Sequence, residues 1–204
     1  NIEYKKIAYV KLGDDDAEPF VQMLKNYTKV DVVSGDRLND LTQALKPYDL
    51  VIVGFHKSND HPWKGYQFSI SELTRLQEIA RKKEVILSVF TSPYALLQIK
   101  SFENIESVVV SYQNSKLAQE LTAQALFGAI TFKGKLPVSI HDHFKVGEGL
   151  ESYSLSRLQY GVPEEVNMSS LKLAKIDQYA DTILSEHMAP GLQVLVARKG
   201  KVVF

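Results

Sequence analysis

Over residues 7–140, short apolar runs alternate with segments whose apolar residues recur every three or four positions. The runs at 7–12, 29–33, 49–55, 84–90 and 107–112, with a shorter one at 136–140, are rich in Val and Ile. Several are nearly continuous, the pattern of strands covered on both faces of a parallel sheet. Between them lie Phe20, Met23, Leu24 and Tyr27, then Leu38, Leu41 and Leu45, then Leu73, Leu76, Ile79 and Ala80, then Leu117, Leu121 and Ala125, each at helical spacing. Strand, helix, strand repeated in this way predicts an α/β protein: a three-layer α/β/α sandwich on a mostly parallel sheet, with right-handed crossovers. Ser92-Pro93 after the fourth strand, and Asn114-Ser115 after the fifth, are helix-start signals. Gly128 is the expected helix stop.

The period dissolves over residues 144–168, FKVGEGLESYSLSRLQYGVPEEVNM, where Gly147, Gly149, Gly161 and Pro163 interrupt it. That segment reads as an extended connector whose Leu and Tyr residues rest on a surface. A C-terminal helix–strand extension follows. Ser169 or Ser170 caps a helix with Leu173, Ile176, Ala180, Ile183 and Leu184 on one face. Two apolar runs, 193–197 and 202–204, then flank Lys199-Gly200, a hairpin signature that stops as its second strand begins. The opening is as abrupt, since a buried-type strand starts at residue 7. Both ends are therefore expected to be cuts in a longer protein, with units at 1–143, 144–168 and 169–204.

Composition narrows the function classes. Of 204 residues 45% are hydrophobic, ample for a core. The 24 Lys and Arg equal the 24 Asp and Glu, with no basic stripe, so nucleic acid is disfavoured as a partner. No apolar stretch has the length of a membrane span, and the absence of Cys removes disulfides and thiolate metal sites.

Ligands of open α/β sheets usually sit beyond the carboxyl ends of the strands. The first such loop, Gly13-Asp14-Asp15-Asp16, would repel a pyrophosphate, so dinucleotide binding is disfavoured and a solvated turn with Asp16 as a cap is expected. A phosphoacceptor receiver domain would need an Asp ending the third strand and a Lys ending the fifth, whereas these end in Gly54-Phe55-His56 and Tyr112-Gln113. The loop HKSNDHPWKGYQF gathers His56, Asp60, His61 and Trp63, and His141, Asp142 and His143 follow the sixth run. If the two loops met, they could offer nitrogen and oxygen ligands to a metal or form an acid–base pair, although the spacing specifies neither. Trp63 suits sugar stacking or domain packing. Ser169-Ser170-Leu171-Lys172 matches the Ser-x-x-Lys of penicillin-recognising enzymes but lacks that family's partner motifs, so a helix cap is expected.

The stretch NSKLAQELTAQALFGAITFKGKLPVSI, with Phe127, Gly128, Gly134, Lys135, Leu136, Pro137 and Val138, resembles the closing signature of the C-terminal domain of glycoside hydrolase family 3. That resemblance reaches back over the strand order to residue 7 and implies a flavodoxin-like α/β domain. Two-domain glucosidases of the family carry a Gly-Glu and an Asp-Arg motif after the third strand and draw their catalytic acid from this domain. Here that place holds Gly54, Phe55 and His56, with no Glu before Glu72, so the carboxylic acid is missing. The β-N-acetylglucosaminidase branch is closer, because its catalytic Asp and His belong to a preceding barrel. Residues 157–204 resemble a connector with the first helix and hairpin of a serine β-lactamase-like domain.

The resemblance thus implies an accessory, non-catalytic domain with no cofactor and no metal. Its partners would be an upstream barrel, a downstream serine hydrolase-like domain and the parent's carbohydrate substrate, in a periplasmic or secreted bacterial protein. His56, Asp60, His61 and Trp63 are the candidate rim of the substrate cleft. An independent carbohydrate- or protein-binding module is the alternative.

Overall fold

The computed structural model describes residues 2–34, 38–60, 63 and 65–204. Five strands, β1 (Ile7–Gly13), β2 (Val30–Val32), β3 (Leu50–His56), β4 (Glu84–Phe90) and β5 (Ser107–Val110), form one sheet in the order β2-β1-β3-β4-β5. Every pairing in it is parallel, as the continuous apolar runs predict. Both faces are covered. Ala8, Val10, Val51, Val53, Val85 and Leu87 share one core with Leu41 and Leu45 and with Leu76 and Ile79 of α3 (Ile70–Ala80). Leu41 belongs to α2 (Leu38–Ala44), and Leu45 follows it. On the opposite face Ile7, Tyr9, Ile52, Ile86 and Phe90 pack on Phe20 and Leu24 of α1 (Glu18–Lys25) and Ala123 of α4 (Lys116–Leu126). The result is the expected three-layer α/β/α sandwich.

The punctuation works as the residue types require. Ser69 and Glu72 close a capping box on α3, and Ser115 caps α4 by accepting from the Ala118 N–H. Gly128, at φ +73°, ends α4: its N–H bonds Ala125 O, and the Ala129 N–H bonds Gln124 O. Ser92-Pro93 opens a 3-10 turn, Pro93–Gln98, rather than an α-helix.

The sixth run is not a strand. Leu136 gives its N–H to Glu148 O and accepts from the Gly147 N–H, and Ile140 bridges Phe144, so residues 136–148 fold back on themselves beside β5. Pro137 has no N–H for a ladder, which leaves little to draw this segment into the sheet.

The 144–168 segment contains a short strand, β6 (Gln159–Tyr160), and a 3-10 turn, Pro163–Val166. The buried amide of Gln124 grips β6, donating to Tyr160 O (3.1 Å) and accepting from the Tyr160 N–H (2.9 Å). After the single-turn α5 (Ser170–Leu173) and α6 (Lys175–Ser185) come β7 (Ala197–Arg198) and β8 (Lys201–Val202). Their two-residue turn has positive φ at Lys199 and Gly200, as a tight hairpin needs. β8 pairs antiparallel with β7 and parallel with β6, so the C-terminal hairpin is carried by the segment that Gln124 holds. Ser169 accepts from the Lys172 N–H and is a helix cap.

Candidate functional site at the switch point of the sheet

The strand order reverses between β1 and β3, and the crevice beyond their carboxyl ends is where an open α/β sheet binds ligands. Here it is occupied by the protein itself. Gly13 has φ +88°, and a Cβ there would lie 1.9 Å from His56 O, so only glycine lets the chain turn this close to β3. The Asp14 and Asp15 N–H groups then both bond His56 O, at 3.1 and 3.4 Å.

Beneath this wrap the His56 side chain is 0% exposed, stacked on Phe90 with centroids 4.4 Å apart and tilted against Phe20. Its Nε2 lies 2.8 Å from the Tyr9 hydroxyl and its Nδ1 2.7 Å from Asn114 Oδ1. Gly54 makes that meeting possible, because a Cβ on it would come within 2.5 Å of both His56 Nε2 and the Tyr9 hydroxyl oxygen. Asn114 arrives through a tight turn after β5, in which Tyr112 has φ +64° and the Gln113 N–H bonds Ser111 O. Its Nδ2 donates to Asp15 Oδ2 (2.8 Å) and Asp16 O (2.9 Å). Gln119 braces the group, donating from Nε2 to Asn114 Oδ1 and Asp16 O while its Oε1 accepts from the Phe20 N–H.

These partners fix the proton positions. Asp15 Oδ2 and Asp16 O can only accept, so the Asn114 amine faces them and Oδ1 faces His56. Nδ1 of His56 therefore carries the proton, and Nε2 accepts from the Tyr9 hydroxyl. Burial pushes His56 down to about 4; the bond to Asn114 and the charges of Asp15 and Asp16 oppose this, and Lys11 reinforces it. Burial likewise raises the Tyr9 phenol, helped by Asp16. The ring is a neutral Nδ1–H tautomer at neutral pH.

Glu72 is tied to the same edge from α3. Its Oε1 accepts from the Gly13 N–H and its Oε2 from the Ser69 N–H, both at 2.7 Å. Partial burial pushes its carboxyl up, but these donors, with Lys57, outweigh it and hold the group below its ordinary value. A general acid for glycoside cleavage needs the opposite shift.

The predicted site residues separate in space. His56 is the last residue of β3 and buried, not part of an exposed loop. An all-apolar strand end on the covered face of the sheet draws it inward. Asp60 is exposed and accepts from the Ser58 hydroxyl at 2.7 Å, Trp63 is 80% exposed, and His61 lies outside the described residues. His141 Nε2 bonds Leu97 O and His143 sits edge-on to Phe102, so neither joins His56, whose two nitrogens are both engaged. Among the described residues no group of three or more His, Cys, Asp or Glu could hold a metal. Nor is any helix among them long and apolar enough to cross a membrane. In the sequence Tyr9 is only one position of the 7–12 run and Asn114 only part of a helix-start signal, so neither announces its contact with His56. The spare capping residue in Asn114-Ser115 was the available signal, since one helix needs only one.

A groove of about 760 Å³ lies elsewhere, along the outer side of β5, between Val108 and Val110 of the sheet and Phe132, Leu136 and Phe144 of the folded-back segment. It is mainly apolar; His143 lines it, whereas His56, Asp60 and Trp63 do not.

No protein-family model and no curated protein matches the sequence. Among solved structures, the chain is similar to a β-glucosidase from Listeria innocua in complex with isofagomine, with a TM-score of 0.53 and 18% identity over 66% of this chain and 23% of that one. It is also similar to the β-glucoside phosphorylase BglX, with a TM-score of 0.52 and 16% identity over 69% of this chain and 27% of that one. The chain thus spans about a quarter of the length of these structures, and at such identities the likeness is one of fold.

Proposed function

We propose that this chain is the accessory α/β domain of a glycoside hydrolase of family 3, in the branch that removes terminal N-acetylglucosamine, and that it performs no chemistry itself. The observation that carries this reading is the end of β3. Where a proton-donating carboxyl group would be needed, the chain places His56, buried and bonded at both nitrogens. The fold shared with a β-glucosidase supports the glycosidase context, and the Phe127-Gly128 and Leu136-Pro137-Val138 signature supports the family. The N-acetylglucosamine branch rests on the missing Gly-Glu motif.

In this reading an upstream barrel supplies the catalytic Asp and His, and the sandwich packs beside it. The loop carrying Asp60, His61 and Trp63 borders its cleft. Residues 144–168 lead to a serine β-lactamase-like domain beginning near residue 169, and the parent acts in the periplasm or outside the cell. A second reading, a protein-binding module, draws on the apolar groove beside β5.

The test is hydrolysis of a chromogenic N-acetylglucosaminide and a chromogenic β-glucoside by the 204-residue chain and by the same chain joined to its barrel. The expected result is no turnover by the chain alone and preference for the N-acetylglucosaminide when the barrel is present. Turnover by the isolated chain overturns the reading.

A further inference from the structure

We propose that the Tyr9–His56–Asn114 chain is an acid-sensitive latch: a proton delivered to His56 releases the loop 13–16 and opens the crevice between β1 and β3.

The geometry assigns one hydrogen to the Tyr9–His56 contact. At 2.8 Å the phenol donates and Nε2 accepts. A second proton, on Nε2, would set two donors against each other, and the phenol would have to turn its hydrogen away. Among the described residues no other hydrogen-bond partner of the Tyr9 hydroxyl is present, so the turn would leave that hydrogen unsatisfied inside the core. The imidazolium charge would also be enclosed by Phe20 and Phe90.

The groups facing the ring do not offset this. Lys11 on β1 opposes a positive charge. Asp15 and Asp16 favour one, but burial outweighs them; the turn before α4 brings the uncharged Asn114, and α4 the uncharged Gln119. Lys57 turns away to Asp14.

The cheapest relief is local, at the loop 13–16, which meets both His56 and its partner Asn114. The Asp14 and Asp15 N–H groups hold that loop to His56 O, and the Asn114 amine holds it at Asp15 Oδ2 and Asp16 O. Lifting it hydrates His56 without disturbing the paired interiors of β3 and β4. The sign follows from linkage. The open state takes up a proton near the ordinary 6.5, and the closed state only near 4. Opening is therefore favoured as pH falls from 6.5 toward 4 and gains nothing further below that. Between pH 7 and pH 5 the open population should rise about twentyfold.

Amide hydrogen exchange resolved by residue, and corrected for the intrinsic pH dependence of exchange, tests this on the 204-residue chain. The Asp14 and Asp15 amides should lose about twentyfold in protection between pH 7 and pH 5. Val53 and Leu87 amides should hold. His56→Gln should flatten the pH response. Tyr9→Phe, which keeps the ring but deprives neutral Nε2 of its donor, should bring the closed state closer to the open one and shrink the response. Ring nitrogen shifts of His56 in the unmutated chain should place the neutral proton on Nδ1. A wild-type response that is flat, a His56→Gln response that is unchanged, or a proton found on Nε2 overturns the latch.

Discussion

α1 and α6 carry similar apolar spacing and meet opposite ends. α1 buries Phe20, Val21, Met23 and Leu24, while no residue of α6 is buried: Ile176, Ala180 and Ile183 remain half-exposed, and Tyr179 and Leu184 are open to solvent. The helices do not differ in kind. They differ in what stands opposite, which for α1 is a finished sheet face of Tyr9, Ile52 and Phe90. Periodicity names the face a helix would bury, and only a partner turns that face into stability.

The largest test of the contrast is Phe20→Ala. Its ring is fully buried, edge-on to Phe90 at 4.9 Å and to Tyr9 at 5.8 Å, and it helps enclose His56. Truncation should cost about 3–5 kcal/mol, read from urea unfolding followed by circular dichroism. A loss below about 1 kcal/mol would mean that the α1 face is not the core contact it is taken for.

The same reasoning explains what could be read in the sequence. The runs at 7–12, 49–55 and 84–90 announced β1, β3 and β4 because strands buried on both faces leave a nearly continuous apolar signal. Gly128 and the Lys199-Gly200 turn were legible because positive φ is scarce outside such residues and positions. The 136–140 run misled because its Leu-Pro-Val pattern records burial, and burial is met there by folding back against residues 144–148. The switch-point network was hidden for a different reason. Tyr9, His56 and Asn114 are separated by 47 and 58 positions, and no local rule couples a strand tyrosine to a residue beside a helix cap. His56 itself was noticed, but its burial depends on strand order and on the glycines at 13 and 54, which only the assembled sheet reveals.

A middle-sized effect is expected at the seam between the two regions. Gln124 belongs to the well-packed α4, yet its amide serves β6, and through β6 the hairpin. Gln124→Ala leaves the Tyr160 N–H and C=O without those bonds and should weaken docking of the segment by about 1–3 kcal/mol. Limited proteolysis should then cut within residues 159–204 faster than in the unmutated chain, while unfolding of the sandwich changes little. Equal loss in both regions would show that the hairpin and the sandwich unfold as one unit.

The smallest effect is assigned to Ile183→Ala on α6. Ile183 is half-exposed, so truncation returns little apolar area to water, and the lost contacts should cost well below the roughly 2–5 kcal/mol of a core Ile→Ala change. Alanine also regains about 0.4 kcal/mol through its higher helix propensity, because a β-branched side chain loses rotamer freedom against the preceding turn. The two terms nearly cancel, and the unfolding free energy should stay within about 0.5 kcal/mol of the original. A loss of 2 kcal/mol or more would mean that the stripe of Ile176, Ala180 and Ile183 is covered in solution. A loss that grows with protein concentration would identify the cover as a second copy of the chain, because only an intermolecular contact contributes in proportion to mass action.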